Sequence, residues 1–220
     1  MLIFASDTSL ESASCALIKN NQVIKEVAIN NNKRHAINFM PMVKKFFDNS
    51  EYSLRDVDLF AISSGPGSFT GLRIGITSIK SMAYALNKKI VMVPTLDILA
   101  FQSYEKDKIM CPLINARNNQ VYTAIYSEKR ETEYMGIHID KLVNLLQKYD
   151  KDIVLSGDGV LLHMEYLKIK IKNKISFDDS HTYPKSSACG LMALNYDKIE
   201  AKDAVPFYLR QSQAERLFNK

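Results

Sequence analysis

Two halves of this chain repeat one order of predicted elements, and that repetition restricts the fold more than any other feature. Residues 2–5 (Leu-Ile-Phe-Ala) read as a buried strand closed by the polar turn Asp7-Thr8-Ser9. Strands follow at 14–18 and 23–29, joined through Asn20 and Asn21, a residue type that tolerates the positive φ of a tight hairpin. A helix is predicted over 36–48, a short strand over 57–62, and then a helix carrying Leu72, Ile76, Ile79, Ala83 and Leu86 at helical spacing. A strand at 90–93 and a helix at 96–104 complete the order βββαβαβα. The second half follows the same order: strands at 109–114, 121–126 and 132–138, a helix at 142–149, a strand at 153–155, and helices near 161–168 and 187–196. Gly65 and Gly157 hold matching places, as do the turns at Asp7 and Asn115. The expectation is two copies of one α/β plan, 1–104 and 105–220, divided at the polar stretch 104–108. The competing reading is a single mixed α/β domain whose halves agree by accident.

Composition agrees with a folded chain. Of 220 residues, 46% are hydrophobic and 24% charged, the usual globular mix. The net charge of +5 permits an acidic partner without demanding one. Cys15, Cys111 and Cys189 are an odd number, far apart, and suggest neither a disulfide framework nor a metal site. A reducing, cytoplasmic setting fits them, and no apolar run approaches a membrane span. Lys168, Lys170, Lys172 and Lys174 alternate with Ile169, Ile171 and Ile175, a strand-like pattern with one cationic face. Two readings fit it: contacts to RNA phosphates, or a solvated edge strand guarded by lysine.

The sharpest local motif is Ser64-Gly65-Pro66-Gly67-Ser68-Phe69-Thr70-Gly71-Leu72-Arg73-Ile74-Gly75. Glycines behind a strand and before a helix leave room for an anion at the helix N-terminus. They equally suit a tight strand-to-helix connection in which Gly71 and Gly75 let the helix pack closely. The Gly-Lys-Ser/Thr of a P-loop and the spacing of a dinucleotide fingerprint are both missing.

This motif resembles the signature of the bacterial TsaB (YeaZ) family. Further stretches resemble it too: residues 3–9, Val93-Pro94-Thr95-Leu96-Asp97, Ile114-Asn115-Ala116-Arg117 with Val121-Tyr122, and Pro206-Phe207-Tyr208-Leu209-Arg210. The resemblance implies two ribonuclease-H-like lobes of the actin/sugar-kinase/Hsp70 (ASKHA) superfamily. It implies a non-catalytic scaffold needed for N6-threonylcarbamoyladenosine at position 37 of tRNAs reading A-starting codons. The implied partners are the transferase TsaD as a heterodimer, the ATPase TsaE, and tRNA through the complex, with a homodimer when TsaD is absent. The alternative is an ATP-binding enzyme, ATPase-like or kinase-like, of the same fold.

Several residues bear on that alternative. Thr95 and Leu99 stand where TsaD-like proteins carry two metal-binding histidines, and leucine cannot ligate a metal. The turns Asp7-Thr8-Ser9 and Asn115-Ala116-Arg117 lack the glycines of the superfamily's phosphate hairpins, and Asn115 replaces an aspartate. They read as remnants of a nucleotide cleft formed by Asp7, Thr8, Ser9, Asn115 and Arg117, open to weak nucleotide contact, with no cofactor and no metal expected.

The helix over 36–48 shows two apolar stripes, Ile37-Met40-Val43-Phe47 and Phe39-Met42-Phe46. One stripe serves a surface helix's own core, so a second points to a partner. Ile37, Phe39, Met40, Met42, Val43 and Phe46, with Ile76 and Lys80 on the next helix, are the expected interface. Pro41 is expected to kink this helix or to mark a later start.

Overall fold

The computed structural model describes the backbone of residues 1–30 and 35–210, and the side chains of 1–29 and 38–210. The first half of the chain runs β1 (Leu2–Asp7), β2 (Ser12–Lys19), β3 (Gln22–Asn30), α1 (His35–Asp48), β4 (Leu59–Gly65), α2 (Phe69–Ala85), β5 (Lys89–Pro94) and α3 (Thr95–Gln102). The second runs β6 (Ile109–Asn115), β7 (Gln120–Thr123), β8 (Met135–His138), α4 (Ile139–Leu146), β9 (Ile153–Ser156), α5 (Gly159–Lys170), β10 (Ile175–Phe177), α6 (Ser186–Met192) and β11 (Lys198–Ile199). The duplicated order is present, and the β2–β3 turn holds Asn20 and Asn21 at φ 50° and 63°. Helix α1 runs through Pro41 without interruption. Its last turn is capped from β3, where Lys25 Nζ donates to Phe46 O at 2.8 Å and to Asn49 O.

The two sheets share one strand order. In the first, β11-β5-β4-β1-β2-β3, the central β1 pairs antiparallel with β2 and parallel with β4. In the second, β10-β9-β6-β7-β8, β6 pairs antiparallel with β7 and parallel with β9. Strands β10 and β11 are absent from the sequence expectations, since three-residue and two-residue strands carry no readable period.

The chain forms two compact units: Met1–Ile98 with Pro184–Phe207, and Leu99–Tyr183 with residues 208–210. A cut at 104/105 therefore misplaces residues 99–104, which belong to the second unit, and residues 184–207, which return to the first. The reason is burial. On one face of the first sheet, Phe4, Phe60 and Ile62 pack with α1 and α2. On the other, Ala5, Ala61 and Val93 need a cover, and Ala188, Cys189 and Met192 of α6 supply it. The second unit has its own core, where β6, β7 and β9 pack against α4 and α5 through Leu113, Val121, Leu142, Leu155 and Leu167.

Candidate functional site

The glycine loop and the first turn form one joint in the first unit. Gly65 ends β4 at φ +111°, where a side chain would also meet Phe207 O at 2.5 Å. Ser68 caps α2, its Oγ accepting from Gly71 N at 3.2 Å. Ser68 N donates to Ser9 O at 2.6 Å, and Thr8 Oγ1 donates to Gly71 O at 2.8 Å. A Cβ on Gly67 would overlap Ser9 O, one on Gly71 would overlap Thr8 O, and one on Gly75 would overlap the Thr8 hydroxyl. The glycines therefore admit protein backbone. Between the two sequence readings, this side of the loop is a close-packed connection. Thr70 and Arg73 point outward, with the Arg73 guanidinium 3.8 Å above the Phe69 ring.

The turn itself is turned inward. Asp7, Thr8 and Ser9 are each at most 1% exposed. Ser9 N and Ser9 Oγ donate to the Asp7 carboxylate at 3.2 and 2.8 Å. Burial outweighs those bonds and pushes the Asp7 carboxyl up to about 6. Ser63 on β4, beside the carboxyl, opposes burial in the same sense as Ser9. Beyond the carboxyl lies Cys189 of α6, whose buried thiol is pushed well up by desolvation and by that carboxylate.

The corresponding turn of the second unit is built differently. Asn115 Oδ1 accepts from Arg117 N at 2.8 Å, and Asn115 N donates to Asp158 Oδ1 at 2.9 Å. Arg117, Asn118 and Asn119 follow at φ +61°, +51° and +55°, all exposed. Behind the turn, Gly157 at φ +93° sits against Leu113 O and donates its N–H to His181 O at 2.8 Å. Among the described residues no group of three or more His, Cys, Asp or Glu is placed to hold a metal ion. Thr95 and Leu99 are fully buried, and among the described residues Thr95 Oγ1 has no hydrogen-bond partner. Cys15, Cys111 and Cys189 are buried free thiols.

The expected partner stripe is a correction. Phe39, Met42, Val43 and Phe46 are at most 8% exposed and lie in the first unit's core with Ile76. The Phe46 ring stands 5.8 Å from that of Phe4. Val43 joins the Phe39-Met42-Phe46 row in one apolar arc, which α1 buries against the sheet and α2. Lys80 donates to Lys202 O at 2.5 Å and Ala204 O at 3.3 Å within the same unit. Met40 alone of the six α1 candidates is exposed, at 46%, among the described side chains; that of Ile37 lies outside them. On α2, Arg73, Thr77, Ser81 and Tyr84 face outward, Tyr84 at 76%.

The C-terminal arm carries residues absent from the site expectations. Phe207 N donates to Ser64 O at 2.8 Å in the first unit. In the second, Arg210 donates to Gly136 O at 2.6 Å and to the Gln120 side chain, and lies 5.7 Å from the Tyr122 ring. The only sequence signal for them is the Pro-x-Tyr-Leu-Arg resemblance.

With this geometry in place, the comparisons with known proteins are specific. A family model described as "TsaD: tRNA N6-adenosine threonylcarbamoyltransferase" matches residues 22–216, which defines the class of protein. "tRNA threonylcarbamoyladenosine biosynthesis protein TsaB" of Buchnera aphidicola (Schizaphis graminum) is 32% identical, over 99% of this chain and 98% of that protein. The protein of the same name from Bacillus subtilis is 28% identical over 98% and 96%. The solved structure of YeaZ from Pseudomonas aeruginosa aligns with a TM-score of 0.78 at 25% identity, over 94% of this chain and 99% of that one. The chain belongs to the TsaB (YeaZ) branch of this family.

Proposed function

We propose that this chain is a non-catalytic scaffold subunit for the synthesis of N6-threonylcarbamoyladenosine in tRNA, acting with a TsaD-type transferase and a TsaE-type ATPase. The shared strand order supports reading the two units as ribonuclease-H-like lobes of the ASKHA superfamily. One observation carries the non-catalytic reading. The turn that would cradle phosphates, Asp7-Thr8-Ser9, is buried and packed against the glycine loop, and its hydroxyls bond within the protein. A phosphate needs free donors at such a turn. The partner surface is then the outward side of α1 and α2, at Met40, Arg73 and Tyr84, in place of the stripe read from sequence.

The test is genetic and chemical together. Bacteria depleted of their own TsaB receive this chain with its cognate TsaD and TsaE, and the modified nucleoside is quantified by mass spectrometry of digested tRNA. Restoration is expected, alongside no ATP hydrolysis by the purified chain alone. A folded chain that leaves the nucleoside absent overturns the assignment.

A further inference from the structure

The lysine run read from sequence as an edge strand lies elsewhere. Lys168 and Lys170 occupy the last turn of α5, and Lys172 and Lys174 follow in the connection to β10. Two more lysines, Lys148 and Lys151, follow the end of α4. Hydrogen bonds join the two segments. Gln147 Nε2 donates to Lys170 O at 3.0 Å, and Asn173 Nδ2 donates to Tyr149 O and Lys151 O, each at 2.8 Å. Ile153 N donates to Lys174 O at 2.9 Å. The fold thus gathers Lys148, Lys151, Lys168, Lys170, Lys172 and Lys174 on one edge of the second unit, all exposed. Among the described residues only Lys168 of this group is ion-paired, with exposed Glu165 at 3.4 Å. Lys170 also lies 5.9 Å from the half-buried Tyr166 ring.

Cations at a helix C-terminus complement its dipole, yet that effect is confined to the last turn and leaves Lys151, Lys172 and Lys174 unexplained. We propose that this edge docks the phosphodiester backbone of RNA, each lysine replacing counterions along the strand. Naming tRNA as that RNA rests on the proposed function. A lipid surface suits the edge less well, because exposed Leu161 and Leu162 lie at the opposite end of α5, about 10 Å along the axis. That leaves Ile169 as the exposed aliphatic beside the lysines.

The experiment measures binding of the full chain to an unmodified tRNA transcript by fluorescence anisotropy across a salt series. Lys168, Lys170, Lys172 and Lys174, all changed to Gln, should weaken binding about tenfold or more. The slope of log K against log salt should fall by about 3, at roughly 0.7–0.9 per lost phosphate contact. A second variant with Lys44, Lys45, Lys88 and Lys198 changed to Gln carries the same net charge and should bind within about twofold of the parent. Equal losses in both variants, an unchanged patch variant, or no binding by the parent chain each overturn the proposal. So does tighter, lysine-dependent binding to vesicles of phosphatidylserine and phosphatidylcholine. Failure here is separable from failure of the function. A parent chain that restores the modified nucleoside while its patch variant binds tRNA normally removes the docking edge alone. A parent chain that restores nothing removes the scaffold reading, and the salt slopes still decide the edge.

Discussion

The glycine loop of the first unit and the Gly157 turn of the second occupy the same step of one topology, and they solve it with different chemistry. In the first, a run of glycines receives the Thr8-Ser9 backbone, and the acid before it, Asp7, is buried. In the second, Gly157 and Gly159 sit against Leu113 O, and Asn115 is a neutral amide tied to its own turn and to Asp158. A joint packed backbone to backbone tolerates no added atom, whatever its sequence. A buried carboxyl with a raised pKa additionally sits in the first joint.

The largest effects should therefore come from adding one methyl group at each joint. Gly157→Ala combines a backbone overlap with a positive φ and should cost about 4 kcal/mol. Gly71→Ala meets the Thr8 carbonyl without a positive φ and should cost about 3 kcal/mol. Gly75→Ala meets the buried Thr8 side chain, which must give up its bond to Gly71 O to make room, and about 2 kcal/mol is expected. Urea unfolding ranks the three, and a Gly75 variant as damaged as Gly71→Ala would show that Thr8 cannot move.

Next comes the contrast between Asp7 and Asn115. The folded Asp7 carboxyl titrates at about 6 against an unperturbed 3.8, so the folded state holds its proton more tightly than the unfolded state does. The contribution of this group is full below pH 4 and is lost as the pH rises through 6, by roughly 3 kcal/mol in all. Asp7→Asn should flatten that decline between pH 4 and pH 7. Asn115→Ala, whatever it costs, should leave the pH dependence as it is. Parallel declines in Asp7→Asn and the parent protein would move the titration to another group.

The smallest effect expected is a gain. Thr95 Oγ1 is buried without a partner among the described residues, so Thr95→Val should raise stability by about 1 kcal/mol, read as a higher melting temperature. A loss would mean that the hydroxyl is hydrogen-bonded in solution.

Local signals carried much of the architecture. Asn20-Asn21 marked a hairpin, alternation and helical spacing marked most strands and helices, and the loop at 64–75 marked the family. The candidate site was less legible. Helix α1 has a wide apolar arc, and periodicity shows that such an arc exists without showing which neighbours cover it. The lysine alternation at 168–174 mimicked a strand because a two-residue period across a helix end and its following connection looks the same in one dimension.

By itself the sequence determined most of the order of elements, the duplication, the turn chemistry and the family, because each depends on residues close together in the chain. Tertiary structure alone decided that α6 returns to cover the first sheet and that the glycines face Thr8 and Ser9. It also decided that Phe39, Met42 and Phe46 lie inside and that six lysines share one edge. Each of those is a contact between distant segments, set by which apolar face remains uncovered once the sheets have formed.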